Sequence, residues 1–184
     1  TEPHVTLTAR YFDAVAFSSF LHAKQVRKGK DIAYISHPLA VSALILEAGG
    51  DEDQAIAGLL HDTAEDCGGE PIIEQIRWRY GQRVAKAVRG CSDSVTTDPE
   101  VKAPWETRKQ DHLVHLRDAS PDVLIITAAD KLHNARAIWA DVRAEGAPAL
   151  RHFTYPRKIA WYYETTLATL KAAGAPKLLT CPLD

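Results

Sequence analysis

The sequence has few cysteines and no excess of charge of either sign. Cys67, Cys91 and Cys181 are its only cysteines, they are widely spaced, and no two form a C-x-x-C pair. This pattern argues against a disulfide framework and a zinc ribbon and favours a reducing compartment, so we expect a cytoplasmic protein. The 22 basic and 24 acidic side chains leave a net charge of -2, which gives no general attraction to nucleic acid or membranes.

Long hydrophobic runs and alternating strand patterns are also lacking. No apolar run approaches the ~20 residues that a membrane span needs, and residues 1–10 lack the charged-then-apolar pattern of a signal peptide. We therefore expect a soluble protein with neither a membrane nor a nucleic acid as partner. With 184 residues, 46% of them hydrophobic, the chain is long enough for one domain with a core, and we predict a single domain over residues 1–184.

Helical periodicity is the signal that is present. Apolar residues recur at i, i+3 and i+4 from the first segment onward. There, Phe12, Ala16 and Phe20 would share one face of a helix, with Val15 and Ser19 beside them. The predicted fold class is therefore all-α, as a bundle of about eight helices.

Prolines and glycines mark the ends of the predicted helices. Pro38 fits the first turn of a helix that begins near His37 and closes at the glycine pair 49–50. Asp51 with Gln54 three residues later resembles a capping box that opens the next helix. Further helices are predicted from Pro71 to Tyr80, after the separating Gly81 to about Cys91, from Pro104 to about Asp118, from an opening at Ser120-Pro121 through Val123 to Arg143, and from Arg151 to Ala173. Residues 92–103 form a loop long enough to be a functional lid.

Acidic side chains and a histidine crowd together after an apolar run that ends at Leu60. His61 and Asp62 are adjacent, and each is followed four residues later by an acid, Glu65 and Asp66 respectively. We place them within one helix. Because carboxylates this close raise one another's pKa, a divalent cation among them is the simplest resolution.

Two more residues could join this cluster as metal ligands: His37 at a helix start, and Asp130 on a later helix. Imidazole and carboxylate without thiolate suit Mn²⁺, Fe²⁺ or Mg²⁺ better than structural zinc, and Mn²⁺ is our first choice. Such an ion neutralises phosphoryl oxygens and acidifies water, while an uncoordinated carboxylate takes the proton. Glu65, one turn beyond His61, is positioned for that role.

The spread of His37, His61-Asp62 and Asp130 resembles the HD-domain metal phosphohydrolases. Four blocks in this order are similar to the hydrolase half of the Rel/Spo stringent-response enzymes: RKG at 27–29, YISHP at 34–38, LLHDTAED at 59–66 and ADKLHN at 129–134. The resemblance covers essentially the whole chain and leaves no segment for synthetase or regulatory regions. The chain thus looks like a stand-alone small alarmone hydrolase with an HD-domain fold.

The resemblance also implies a role for each candidate site residue. The implied ligands of one Mn²⁺ ion are His37, His61, Asp62 and Asp130. The implied catalytic acidic step is Glu65-Asp66. The implied substrate contacts are Arg27 on the purine base, Asn134 on the nucleotide, and Lys28, Arg108 and Lys109 on the phosphates. The implied reaction removes the 3′-pyrophosphate from guanosine tetraphosphate or pentaphosphate, releasing pyrophosphate and GDP or GTP.

Other substrates, and a role without turnover, stay open at this point. Metal chemistry is indifferent to the base, so an adenosine alarmone or the 2′-phosphate of NADPH are alternatives. A non-catalytic alarmone-binding module is a third. Ala33 stands where proline commonly precedes the tyrosine of the family pattern, which leaves base specificity open. We expect a monomer or a homodimer.

Three other histidines are not expected to bind a metal. His112 and His115 lie three residues apart on a predicted helix but have no obvious carboxylate partner. His133 differs in helical phase from Asp130 and Asn134, which predicts a packing or supporting role.

Overall fold

The computed structural model describes residues 6–96, 98, 100–153 and 156–181. Within these ranges the chain contains helices and no β-strand, and an isolated antiparallel bridge joins Val26 to Ala33. The all-α prediction is therefore confirmed. The helices are α1 (Ala9–Leu21), α2 (Ser36–Glu47), α3 (Glu52–Leu60), α4 (Thr63–Cys67), α5 (Glu70–Tyr80), α6 (Gln82–Cys91), α7 (Trp105–Arg117), α8 (Pro121–Glu145), a 3₁₀ helix (Ala147–His152), α9 (Pro156–Ala172) and α10 (Lys177–Thr180).

Most predicted helix ends lie where proline, glycine and capping residues place them. The Asp51 side chain accepts from the Gln54 amide nitrogen while the Gln54 side chain accepts from the Asp51 backbone, which is the predicted capping box. Pro71 lies in the first turn of α5, Gly81 separates α5 from α6, and α7 begins directly after Pro104. These boundaries follow from local chemistry, so the sequence predicts them well.

The prediction that His61 and Asp62 lie within one helix is wrong. The helix α3 ends at Leu60 and α4 begins at Thr63, so the pair forms the junction between them. Two side chains bond to backbone carbonyls there: Thr63 Oγ1 donates to Leu60 O at 2.6 Å, and His61 Nδ1 lies 2.8 Å from Gly58 O. Side chains that bond to nearby carbonyls compete with helix hydrogen bonds, and here they accompany a break.

The C-terminal helix is shorter than predicted. Instead of one helix from Arg151 to Ala173, the structure has the 3₁₀ helix, then α9 and α10. Gly146, with φ of +73°, ends α8 in a conformation that favours glycine. Pro156 is the first residue of α9, a position that proline favours because its missing N–H would have no partner within the helix there.

The first helix buries a different face from the one that the spacing predicts. Phe12 and Phe20 are 65% and 77% exposed, whereas Ala14 is fully buried and Phe17 is 8% exposed. The buried side of α1 faces α3, where Ser18 Oγ donates to Leu59 O at 2.7 Å. The face of α1 that contains Phe12 and Phe20 has the more regular apolar spacing, but it is the face exposed to solvent.

The core lies around α3, which packs against α1, α2, α6 and α8. Its residues 55–60 are all buried, and α2 and α8 also contact each other. This arrangement brings the start of α2, the end of α3 and the middle of α8 to one place. No helix in the described ranges combines the length and the apolar character that crossing a bilayer requires.

The two sides of α1 give a matched test of this packing. We expect Phe17→Ala to lower the free energy of unfolding by about 3–5 kcal/mol, because it removes a buried ring that packs near Tyr80. Phe20→Ala should change it by less than about 0.5 kcal/mol, because that ring is exposed. Urea unfolding followed by circular dichroism measures both. Equal losses in the two variants would contradict the described packing of α1.

Candidate functional site

The four predicted metal ligands come together from three parts of the fold. His37 lies at the start of α2, His61 and Asp62 at the junction of α3 and α4, and Asp130 in the middle of α8. His37 Nε2 is 3.5 Å from Asp62 Oδ2 and 3.2 Å from Asp130 Oδ1. His61 Nε2 is 3.0 Å and 3.8 Å from the same two oxygens. The chain thus gathers two imidazoles and two carboxylates around one point.

In both imidazoles the Nδ1 atom has a hydrogen-bond partner, whereas the Nε2 atom, which faces the carboxylates, has none. The Nδ1 atom of His37 lies 2.7 Å from Nδ1 of His133, and that of His61 lies 2.8 Å from Gly58 O. The Nε2 atoms of both rings are buried and make no hydrogen bond. A buried polar atom without a hydrogen-bond partner costs free energy. A divalent cation bound between the two Nε2 atoms and the two carboxylates would remove that cost. Thiolates are absent from the set, which suits a hard or borderline ion.

His133 has the supporting position that its helical phase predicts. Burial, together with the nearby His37 and Arg27, lowers the pKa of His133 to about 4, so its ring is neutral at pH 7. A neutral ring can accept a hydrogen bond at Nδ1 from His37 Nδ1–H. That arrangement leaves the lone pair of His37 on Nε2, directed at the carboxylates.

The electrostatics of the cluster favour a cation. Burial disfavours charge on His61, but the carboxylates of Asp62 and Asp130 outweigh it and raise the pKa of His61 to about 9. Burial likewise opposes ionisation of Asp130, yet Lys131 and the two imidazoles hold its pKa well below its usual range. Burial also opposes ionisation of Asp62, but His61 and His37 hold the pKa of that carboxyl well below its usual range, so both carboxylates are ionised at pH 7. A proton or a metal ion can supply the positive charge between them.

Neighbouring donors hold these carboxylates in place. Tyr34 Oη donates to Asp62 Oδ2. Lys131 Nζ bonds to Asp130 Oδ2 at 2.7 Å, and Asn134 Nδ2 donates to Asp130 Oδ1 at 2.5 Å. Groups that fix the orientation of a ligand in this way tune metal affinity nearly as strongly as the ligands themselves.

Glu65 faces a polar cavity of about 120 Å³ beside the cluster. Asp62 and Asp130 line the same cavity. Glu65 Oε1 accepts from the backbone N–H of Asp93 at 2.7 Å. Burial, with the negative charges of Asp93 and Asp62, raises the pKa of Glu65 to about 7. A carboxyl group that titrates near neutrality beside a candidate metal site is suited to proton transfer.

Asp66 lies outside this cavity. Its side chain is exposed, and Oδ2 accepts from Gln25 Nε2 at 2.8 Å. Burial of part of the group raises the pKa of Asp66, although the bond from Gln25 opposes the rise. The two members of the predicted acidic step therefore face different surroundings.

A groove of about 430 Å³ adjoins the cluster and contains three of the predicted substrate contacts. Arg27, Lys28 and Asn134 line it. Arg27 Nη2 donates to Asn134 Oδ1 at 2.7 Å, and its guanidinium lies 5.7 Å from the centre of the Tyr34 ring. Asn134 also lines the polar cavity, so it connects the groove to the candidate metal centre.

The other two predicted phosphate contacts lie on the far side of the polar cavity. Arg108 Nη1 and Lys109 Nζ each lie 2.5 Å from an oxygen of Asp93. Lys109 lines the cavity, whereas Arg108 does not. The fold therefore separates the predicted basic residues. Arg27 and Lys28 line the groove, whereas Lys109 lines the polar cavity and shares the partner Asp93 with Arg108.

The residues that line the polar cavity and that sequence reasoning did not assign to the site include Lys131, Asp93 and Tyr162. Lys131 could have been found, because it follows the candidate ligand Asp130 directly. Asp93 lies in the loop after α6, and no pattern in the sequence connects it to Glu65. The buried Tyr162 hydroxyl makes no hydrogen bond, and the spacing of its aromatic neighbours gives no sign of that position.

His112, considered with His115 as a second metal pair, is buried in the polar cavity instead. Burial and the nearby charges of Lys131 and Lys109 lower its pKa to about 4. In the described part of the chain, the group of His, Cys, Asp and Glu side chains spaced to hold a metal is His37, His61 and Asp62, with ligand atoms within 4.8 Å of one another.

Comparison with known families agrees with this geometry. A sequence model of the HD domain matches residues 14–154. This chain belongs to the HD domain family. The resemblance that its sequence motifs indicated is thereby confirmed. The adjacent His61 and Asp62 of this HD domain lie at the junction of α3 and α4.

Individual relatives of this HD domain fall into long and short proteins. A guanosine-3′,5′-bis(diphosphate) 3′-pyrophosphohydrolase of Aquifex aeolicus is 36% identical over 68% of the chain, but only 17% of that protein is covered. The enzyme of the same name, MESH1, from Xenopus tropicalis is 31% identical over 74% of the chain and 78% of the relative. The chain thus spans under a fifth of the first relative and most of the second.

Solved structures give the same picture for the HD domain. The structure of a metazoan orthologue of SpoT, described as hydrolysing ppGpp, has a TM-score of 0.78 and 25% identity, covering 100% of this chain and 94% of the other. A protein of Listeria monocytogenes EGD-e has a TM-score of 0.66 and 26% identity, covering 80% and 95%. Both resemble this chain across most of its length.

Removal of one carboxylate from the cluster tests its ability to hold a metal. We expect Asp62→Ala to abolish retention of a divalent metal while keeping most of the helical content, because the loss is confined to the site. Asp66→Ala is the matched control, since it removes an exposed carboxylate four residues away and should retain the metal. Elemental analysis and circular dichroism measure the two properties. Equal metal content in parent and Asp62→Ala protein would refute the assignment.

Proposed function

We propose that this protein hydrolyses guanosine tetraphosphate or pentaphosphate at the 3′-pyrophosphate, releasing pyrophosphate with GDP or GTP. The observation that carries the proposal is the meeting of two buried, unpartnered imidazole nitrogens with two carboxylates beside a basic groove. Further support comes from MESH1 of Xenopus tropicalis, which is named for this reaction and is covered over 78% of its length.

In this proposal His37, His61, Asp62 and Asp130 hold one Mn²⁺ ion. A divalent ion at this site supplies positive charge for phosphoryl oxygens and makes a water molecule more acidic. Mn²⁺ is preferred to zinc because the set combines two imidazoles with two carboxylates and has no thiolate. Lys131 neutralises part of the charge on Asp130, which keeps the total negative charge compatible with one divalent ion.

Glu65 is the residue that we assign as the general base. Its raised pKa keeps a substantial protonated fraction at neutral pH, so the group can both accept and return a proton there. The Asp93 backbone N–H holds one carboxylate oxygen, which leaves the other available toward the cavity. We assign Asp66 as the second member of the catalytic acidic step, with an exposed carboxylate outside the polar cavity that would orient the attacking water or the leaving group.

The groove and the cavity suit the two ends of the substrate. Arg27 packs on the purine base in the groove, and Asn134 contacts the part of the nucleotide that lies between groove and cavity. Lys28 in the groove and Lys109 in the cavity contact phosphates at opposite ends, with Arg108 supporting Lys109 through their shared partner Asp93.

The protein would act on this small-molecule nucleotide in the cytoplasm, as a monomer or a homodimer. Neither state changes the assignment of the site, because every residue assigned above belongs to one chain.

Product analysis over a nucleotide panel tests the proposal. The Mn²⁺-loaded protein is incubated with guanosine tetraphosphate, adenosine tetraphosphate and NADPH, and the products are separated by anion-exchange chromatography. We expect GDP and pyrophosphate from the guanosine substrate. Turnover of the adenosine compound or release of phosphate from NADPH alone would assign another substrate. Binding of guanosine tetraphosphate without any turnover would identify a binding module instead.

Substitution of Glu65 tests its role as the base. We expect Glu65→Gln to lower kcat by about 10²- to 10⁴-fold, which is the usual contribution of a general base. Because a base works in its ionised form and the pKa of Glu65 is raised to about 7, the rate of the parent should increase as pH rises through 7. That limb of the pH profile should be absent in the variant. Glu74→Gln on the exposed side of α5 is the control, and a matching loss there would contradict the assignment.

Substitution of Arg27 tests the proposed base contact. We expect Arg27→Ala to raise KM for guanosine tetraphosphate more than it changes kcat, because the contact is the same in the ground state and the transition state. Arg117→Ala, an exposed arginine on α7, is the matched control. Steady-state kinetics measure both constants. An unchanged KM in Arg27→Ala would remove this residue from the site.

A further inference from the structure

A buried histidine that is not among the candidate metal ligands is joined to the acidic step by hydrogen bonds. His22 ends α1 and is 2% exposed. Its Nδ1 atom lies 2.7 Å from Gln25 Oε1, and Gln25 Nε2 donates to Asp66 Oδ2 at 2.8 Å. A continuous chain of hydrogen bonds therefore runs from a buried ring to an exposed carboxylate.

The direction of this chain follows from the donors and acceptors. An ionised carboxylate only accepts, so the amide nitrogen of Gln25 must face Asp66 and the amide oxygen must face His22. The oxygen accepts a hydrogen bond, which requires a proton on His22 Nδ1. The opposite amide orientation would place Gln25 Oε1 against the carboxylate, so the hydrogen bond to Asp66 would be replaced by repulsion between two acceptors.

Backbone and ring contacts make the arrangement rigid. The backbone N–H of Gln25 donates to the backbone carbonyl of His22 at 3.0 Å. The backbone carbonyl of Gln25 accepts from the backbone N–H of Tyr34 at 2.9 Å. The His22 and Tyr34 rings pack with centroids 4.8 Å apart. Gln25 is thus fixed on both sides, whereas Asp66 lies exposed on the short helix α4. Gln25 therefore provides the fixed donor that restricts this carboxylate.

We propose that His22 and Gln25 are positioning residues for Asp66: the Nδ1–H of His22 fixes the Gln25 amide, and that amide fixes one oxygen of Asp66. The other carboxylate oxygen is then presented in one orientation to water or leaving group. This inference rests on the proposed function for the reaction in which Asp66 takes part. The hydrogen-bond chain itself does not depend on which nucleotide is the substrate.

Two substitutions of matched shape at His22 separate hydrogen bonding from packing. The side-chain nitrogen of asparagine is as many bonds from Cβ as His22 Nδ1, so His22→Asn keeps a donor near that position. His22→Leu has the same branching without a donor. We expect His22→Leu to lower kcat by about tenfold with KM within about twofold, and His22→Asn to recover most of the loss. Equal losses in both variants would overturn the proposal.

A double-mutant cycle tests whether the effect passes through Asp66. In the Asp66→Asn background, His22→Leu should lower kcat by less than about twofold further, because its target has already been changed. A further loss as large as in the parent background would show a general structural role and overturn the proposal. Where His22→Leu does not fold, Gln25→Leu replaces it in the same cycle with the same expected outcome.

A spectroscopic measurement tests the same chain without turnover. Nitrogen chemical shifts of ¹⁵N-histidine-labelled protein, assigned with His22→Asn, distinguish a proton on Nδ1 from one on Nε2. We expect Nδ1–H in the parent and a shift toward Nε2–H in Gln25→Leu. Nε2–H in the parent would overturn the inference. A parent that shows Nδ1–H but does not hydrolyse guanosine tetraphosphate would contradict the proposed function alone and support the hydrogen-bond chain.

Discussion

The meeting of Asp62 and Asp130 with two unpartnered imidazole nitrogens is the constraint on which the rest of this structure depends. Two carboxylates, of which Asp130 is buried and Asp62 half-buried, lie within about 4 Å of the same two nitrogens and are stable only with positive charge among them. The packing of α2, α3 and α8 brings these groups together, although they lie far apart in sequence. Tyr34 and Asn134 donate to the two carboxylate oxygens that face the imidazoles, and Lys131 holds the other oxygen of Asp130.

The sequence predicts those parts of the fold that depend on nearby residues. The capping box at Asp51 and the helix starts near Pro71 and Pro104 are formed by residues within one turn of each other, and the structure has them as predicted. The junction at His61 and Asp62 could not be predicted in this way. The helical spacing continues through it, and the break involves side chains bonding to backbone carbonyls, which the spacing does not reveal.

Long-range contacts account for the other differences. The outward face of α1 has the more regular apolar spacing, but the position of α3 decides which side is buried, and Phe17 is the aromatic residue that meets the core. In the same way, the family resemblance identifies Glu65 as a catalytic candidate but does not pair it with the Asp93 backbone, which lies 28 residues away. Motifs identify residue types at a site, whereas packing determines what each one contacts.

Asn134 lines both the groove and the polar cavity and therefore connects the two parts of the candidate site. Asn134 accepts from Arg27 and donates to Asp130, so its amide links the proposed base contact to the candidate metal centre. Arg27 and a carboxylate of the candidate metal centre are therefore connected through the hydrogen bonds of one side chain.

Asp93 has a consequence for the kind of ligand that the cavity admits. Its carboxylate is almost completely enclosed and already satisfies the charges of Arg108 and Lys109. An anion that reached either cation would share it with this internal carboxylate, which already offsets part of the positive charge. The remaining attraction grows with the charge that the anion carries. On the proposed function, this end of the cavity would therefore favour a polyphosphate over a monophosphate.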